Sequence, residues 1–171
     1  QRHRGPDWSG VYVDDGAILV HERLAIVDPA GGSQPLRSAD GELALAVNGE
    51  IYNHRELKKE LTQPYDFLTG SDCEVINALY REDQPASFLN RLNGIFAFAL
   101  WDKATGRALI ARDPMGVCPL YWGHDREGRL CVASEMKAIS GLCADVAQFP
   151  PGHYYDSATG ELTQYYRKPW R

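Results

Sequence analysis

The chain has 171 residues, 44% of them hydrophobic and 24% charged, with a net charge of −5. That size and balance suit one globular domain with a sizeable core, and the acidic excess argues against nucleic acid, which calls for a basic stripe. No apolar run approaches membrane-spanning length and no basic-then-apolar leader is visible, so no membrane partner is expected.

Residues 17–22 predict a strand that continues into His21-Glu22-Arg23-Leu24-Ala25-Ile26-Val27-Asp28. An arginine inside a half-buried stretch calls for an anionic partner. The planar fork of Arg23 makes it a candidate clamp for a carboxylate ligand, and an internal ion pair with Glu22 or Asp28 fits the same spacing. His21-Glu22 opens like a zinc-protease helix, but Ala25 stands where the second histidine belongs. His3, His54, His124 and His153 are scattered, so no metal site is expected. Ala30-Gly31-Gly32-Ser33-Gln34-Pro35 reads as a surface turn.

Residues 43–47 predict a buried strand that runs out into Asn48-Gly49-Glu50-Ile51-Tyr52-Asn53. The Asn48 side-chain amide and the Gly49 N–H together suit an oxyanion hole, in which each donor is typically worth about 3 kcal/mol of barrier. A tight strand-to-helix turn uses the same residue types for backbone reasons. Asn53 is placed to cap a helix with Glu56 at the box position and Leu57 and Leu61 as its buried stripe. Ser71 and Glu74 form a second capping box ahead of the apolar face Val75, Ile76, Leu79 and Tyr80, which predicts a helix over 72–81. Asp72, in its first turn, either complements the helix dipole or faces a site and holds an ammonium group. Pro85 opens a third helix through Phe88 and Leu89.

From residue 94 onward the pattern changes to strands: 94–101, 107–111, 119–122, 129–133, 153–156 and 161–166, separated by turn residues. Mostly antiparallel strands with a few helices predict stacked α+β layers in a single domain. The four cysteines lack Cys-x-x-Cys spacing, which argues against a zinc ribbon or a disulfide scaffold and for a reducing, cytoplasmic setting. Cys73 reads as a small helix residue next to Asp72, and Cys118, Cys131 and Cys143 fall in apolar or strand-like settings where free cysteine is ordinary.

Four phrases, Arg2-His3-Arg4-Gly5-Pro6-Asp7, His21 to Asp28, Val47 to His54, and Gly70-Ser71-Asp72-Cys73-Glu74, resemble in order and spacing the glutaminase domain of bacterial-type glutamine-hydrolysing asparagine synthetases. That group is a branch of the class II amidotransferases within the N-terminal nucleophile hydrolases. Gly94-Ile95-Phe96-Ala97-Phe98-Ala99, Arg112-Asp113-Pro114-Met115-Gly116 and Ser134-Glu135-Met136-Lys137 agree with it. The resemblance implies a four-layer αββα sandwich that binds L-glutamine and releases ammonia from its side chain. Arg23 would grip the α-carboxylate, with backbone groups of Leu24, Ala25, Ile26 and Val27 lining the same pocket. Asn48 and Gly49 would form the oxyanion hole, and Glu50 and Asp72 would hold the α-ammonium group. One cation for the carboxylate and two anions for the ammonium is the complement a zwitterion needs.

The family's nucleophile is the thiol of an amino-terminal cysteine with its own α-amino group as base, whereas this chain starts at Gln1. The expectation is therefore a domain, residues 1–171, truncated at both ends. Upstream it would extend through an opening strand and helix to a cysteine; downstream, into a synthetase domain that adenylates aspartate. ATP and magnesium belong to that second domain, whose Ser-Gly-Gly-x-Asp-Ser loop is absent here, and no cofactor is expected in this one. The implied partners are L-glutamine, the synthetase domain and a second copy in a homodimer, and Ser134 to Lys137 either faces the synthetase domain or forms a plain strand-to-helix corner. Alternatives are an acceptor in amino-sugar, phosphoribosylamine or β-lactam synthesis, or a glutamine-binding module without hydrolysis.

Overall fold

The computed structural model describes residues 1–24, 31 and 33–167. The chain opens with an antiparallel hairpin, β1 (Trp8–Val13) and β2 (Ile18–Arg23). Then come β3 (Leu36–Arg37), β4 (Leu43–Ile51), α1 (His54–Glu60), a 3-10 turn (Asp72–Glu74), α2 (Val75–Glu82) and α3 (Pro85–Arg91). The second half carries β5 (Gly94–Asp102), β6 (Arg107–Arg112), β7 (Tyr121–His124), β8 (Leu130–Ala133), a 3-10 turn (Met136–Ala138), β9 (Ala147–Gln148), β10 (His153–Asp156) and β11 (Glu161–Gln164).

Alternation in the longest strands decides how these elements stack. In β5, Phe96, Phe98 and Leu100 point to one face and Ala97 and Ala99 to the other, as a period of two requires. β5 lies inside a six-stranded antiparallel sheet of order β11-β10-β6-β5-β4-β3. Its large-residue face packs with Leu45, Val47, Ile51 and Leu109 against Leu57, Val75, Ile76, Leu79, Phe88 and Leu89 of the three helices. On the small-residue face Ala97, Ala99 and Ile110 meet Cys118, Leu120 and Phe149 in a second core. Leu19 of the hairpin, and Trp122, Leu130 and Val132 of the three-stranded sheet β8-β7-β9, close over that core.

The expected α+β class and antiparallel pairing are present, with helix, sheet and second strand layer stacked in the order of an αββα sandwich. Among the described residues the outer face of the hairpin, formed by the cross-strand pairs Val11–Val20 and Val13–Ile18, is exposed. All the strands predicted from the sequence occur, and β1, β3 and β9 are additional. β4 runs straight through Asn48 and Gly49 to Ile51 rather than ending at Val47, because every one of these residues keeps a partner on β5.

Neither capping box forms. Asn53 stands at the start of α1 with no side-chain bond to the helix. Its amide instead donates to Arg91 O and accepts from Asn93 N–H, both at 2.9 Å, tying α1 to the α3–β5 link. Ser71 does accept from Cys73 N–H, but the fully buried Glu74 turns upstream to accept from Leu68 N–H, Thr69 N–H and Thr69 Oγ1. The Arg112-Asp113 phrase also has a structural explanation. The buried Arg112 guanidinium donates to the carbonyls of Cys118, Phe149 and Gly116, while the Asp113 carboxylate collects the N–H groups of Met115, Val117 and Cys118.

Candidate active site

Small residues on the second face leave space that larger ones would fill. Ala46 pairs with Ala99 and Asn48 with Ala97 across β4–β5, and above them opens a cavity of about 630 Å³. Its walls come from the end of β2, the start of the Asp72–Glu74 turn and the segment 132–139. Arg23, Leu24, Asn48, Gly49, Glu50 and Asp72 all line this one cavity. Ala25, Ile26 and Val27, which the resemblance also implicates, lie outside the described residues.

The ladder between β4 and β5 determines which donors face the site. Tyr52 N–H donates to Asn93 O at one end and Lys103 N–H to Glu42 O at the other. Hydrogen-bonded pairs alternate in an antiparallel ladder, so Asn48 and Glu50 spend their backbone groups on β5, whereas the N–H groups of Val47, Gly49 and Ile51 point to the opposite edge of β4. There Val47 N–H donates to Gln34 Oε1 at 2.9 Å and Ile51 N–H to Asp72 Oδ2 at 2.6 Å. Gly49 N–H lies between them, beside the cavity, with no hydrogen-bond partner among the described residues. The Asn48 side chain, half-buried on the cavity face, likewise bonds to no described residue. Two undelivered donors on adjacent residues are what an oxyanion requires.

Glycine at 49 is obligatory on two counts. Its φ is 151°, and an added Cβ would stand 2.1 Å from Ile95 O and 2.7 Å from Phe96 Cα.

Arg23 ends β2 and is buried. The ion pair with Glu22 weighed from spacing does not form, since alternation along β2 turns Glu22 outward, where its carboxylate accepts from Ser9 Oγ at 2.6 Å; Asp28, the other acid weighed, lies outside the described residues. The Arg2-to-Asp7 phrase supports this strand end. Gly5 packs so closely that a Cβ would meet Glu22 O at 2.2 Å and Arg23 N at 2.5 Å, and Asp7 N–H donates to Arg23 O. Glu50 lines the cavity without an ion pair to any described residue. Burial, then the Arg23 guanidinium, pull the His21 imidazole down to about 4, so it is neutral at pH 7.

Cys73 and Cys118 line the cavity as well. Burial, then the Asp72 charge, push the Cys73 thiol well above its ordinary value, and its Sγ donates to Gly49 O. Burial, then the Asp113 charge, push Cys118 up to about 11. Neither is a thiolate at neutral pH, so neither is an activated nucleophile.

Sequence reasoning missed several wall residues. The Gln34 turn is not mere surface: Gln34 lines the cavity and holds β4. His21, Arg4, Ser134 and Ala138 line it too. For Gln34 the only signal was a polar residue set between glycines and the buried Leu36; for the others proximity arises from tertiary packing alone.

Residues 1–150 match the family model described as glutamine amidotransferase domain. The chain is 54% identical over 169 residues to asparagine synthetase B [glutamine-hydrolyzing] of Escherichia coli strain K12, spanning 99% of this chain and 30% of that protein. It is 49% identical to asparagine synthetase [glutamine-hydrolyzing] of Zea mays, spanning 28% of it. The chain therefore covers about 30% of the length of these curated relatives. Among solved structures it resembles the glutamine phosphoribosylpyrophosphate amidotransferase of B. subtilis, at a TM-score of 0.70 and 28% identity over 88% of this chain and 35% of that one.

Proposed function

Because the chain belongs to the glutamine amidotransferase domain family, we propose that its cavity binds L-glutamine and positions the side-chain amide for hydrolysis to glutamate and ammonia. The observation that carries this reading is the convergence of one buried guanidinium, two carboxylates and two undelivered N–H donors on a single cavity. Arg23 takes the α-carboxylate. Glu50 and Asp72 take the α-ammonium, with Asp72 held in place by Ile51 N–H. The δ-carbonyl oxygen lies against the Asn48 amide and Gly49 N–H, which stabilise it as it becomes negative.

Acyl transfer also needs a nucleophile. The raised thiols of Cys73 and Cys118 do not serve; the resemblance to class II amidotransferases implies an amino-terminal cysteine thiol, which would attack next to the Asn48–Gly49 donors. It forms a thioester as ammonia departs, and water then releases glutamate.

Ammonia is mostly protonated in neutral water and is then no nucleophile, so its value lies in local consumption. The similarity to glutamine-hydrolysing asparagine synthetases supports a synthetase domain of the same polypeptide as consumer, with ATP and magnesium bound there and aspartate converted to asparagine. A homodimer and a cytoplasmic setting belong to the same proposal; among the described residues no helix is long and apolar enough to cross a membrane. Within the polypeptide, residues 1–171 form the glutaminase unit.

The test is Arg23→Ala in the full-length polypeptide. The Michaelis constant for glutamine should rise severely while ammonia-dependent synthesis stays nearly intact. Equal loss of both activities would make Arg23 a structural residue and overturn the reading.

A further inference from the structure

Away from the glutamine cavity's charged groups, two cysteines flank Gly123 in the three-stranded sheet. Cys131 of β8 is the register partner of Gly123 on β7. On the other flank of β7, Cys143 bridges to Asp125, and its Cβ lies 3.1 Å from the place a Cβ on Gly123 would occupy. A side chain at 123 would separate the two cysteines. With glycine there, both cysteines border the same backbone position, Cys131 as its cross-strand partner and Cys143 with its Cβ over it, while Cys131 Sγ donates to Arg129 O. Both are free thiols, Cys131 partly exposed and Cys143 buried. One reachable thiol beside one sheltered thiol is the pairing of an attacking and a resolving cysteine.

We propose that Cys131 and Cys143 form a reversible dithiol–disulfide site that reacts with low-molecular-weight disulfides. The Cys131 thiolate attacks one sulfur of the small disulfide, breaking its S–S bond and expelling one small thiolate. Cys143 gives its proton to solvent and attacks the Cys131 sulfur of the mixed disulfide, forming the protein bond and expelling the second small thiolate. Two protein thiols are oxidised and one small disulfide is reduced to two thiols. A disulfide holds its Cβ atoms roughly 3.5–4.5 Å apart, so closure draws Cys143 over Gly123. Its neighbours Leu142 and Ala144 are exposed and free of core packing. Burial, then the neighbouring Cys131 thiol, push the Cys143 thiol up to about 11, so the resolving step quickens as pH rises toward that value.

The bond would tie together both ends of one cavity wall. Val132, Ala133, Ser134, Ala138 and Ile139, all lining the cavity, lie between the two cysteines.

The experiment treats the reduced full-length protein with oxidised glutathione and maps peptides without reduction. A Cys131–Cys143 cross-link lighter by two hydrogens is expected, reversed by dithiothreitol and accompanied by slower amide exchange over residues 132–139. Cys131→Ser should abolish both changes. Cys143→Ala should leave a lasting glutathione adduct on Cys131, and Gly123→Ala, which keeps both thiols, should reduce the cross-link yield. A persistent mixed disulfide on Cys131 in the unmodified protein would overturn the proposal, as would cross-links to other cysteines or unchanged exchange in the oxidised form.

Discussion

Three backbone N–H groups along the edge of β4 turned away from β5 illustrate how much depends on single residues. Val47 and Ile51 give theirs to Gln34 and Asp72, which fixes two cavity side chains, and Gly49 N–H is left without a partner among the described residues. Asn48→Ala removes one of the two donors proposed for the oxyanion. Glutaminase turnover should fall by about 10²-fold or more, and a negligible change would leave Asn48 with only a strand role. His21 makes a second prediction. Its folded value of about 4 lies below the ordinary value of 6.5, so the unfolded chain binds its proton more readily between those pH values. This contribution makes stability rise with pH from about 4 to 6.5 and stay level above. Thermal midpoints at pH 5 and pH 7 should differ less in His21→Gln than in the unmodified protein. An unchanged difference would remove His21 from the pH response.

Among the elements, the helix starts show where local pattern and tertiary demand part. Ser71 caps as its type predicts, yet Glu74 leaves the box to hold the 68–69 loop, and Asn53 leaves its helix to hold the α3–β5 link. In both places a local bond is given up for one that joins distant segments, because those segments would otherwise leave partly shielded N–H or carbonyl groups unpaired. Glu74→Ala should therefore cost about 2 kcal/mol or more of unfolding free energy, well beyond the loss of a cap-box contact at a helix surface. Denaturant unfolding measures it, and a loss of a few tenths would show that water replaces the carboxylate. At element scale the strand and helix positions were readable because hydrophobic period and turn residues are local signals. The short strands β3 and β9 were not, since two residues carry no period.

At the scale of the whole molecule, two cores on opposite faces of one sheet divide the labour. The large side chains of β5 anchor the helices, while the small ones on its other face leave the cavity open. Ala46→Leu adds bulk to the cavity floor opposite Ala99. Glutamine binding, measured by calorimetry on the full-length protein, should weaken by about tenfold or more, with a stability change within the roughly 1–3 kcal/mol of overpacking. Retained affinity would place the ligand elsewhere.

The sequence by itself determined the family, the α+β class and the chemical inventory of the site. Arg23, Asn48, Gly49, Glu50 and Asp72 were picked out by resemblance to the family, since spacing alone fits an ion pair, a turn and a helix start as well; the structure brings all five to one cavity. Only the tertiary structure decided that Glu22 turns to Ser9, that Gly49 N–H lies on the edge of β4 turned away from β5, that Gln34 joins the cavity, and that Cys131 and Cys143 flank Gly123. Those outcomes depend on strand register and on which segments pack together, and neither is encoded in the short-range pattern of the chain.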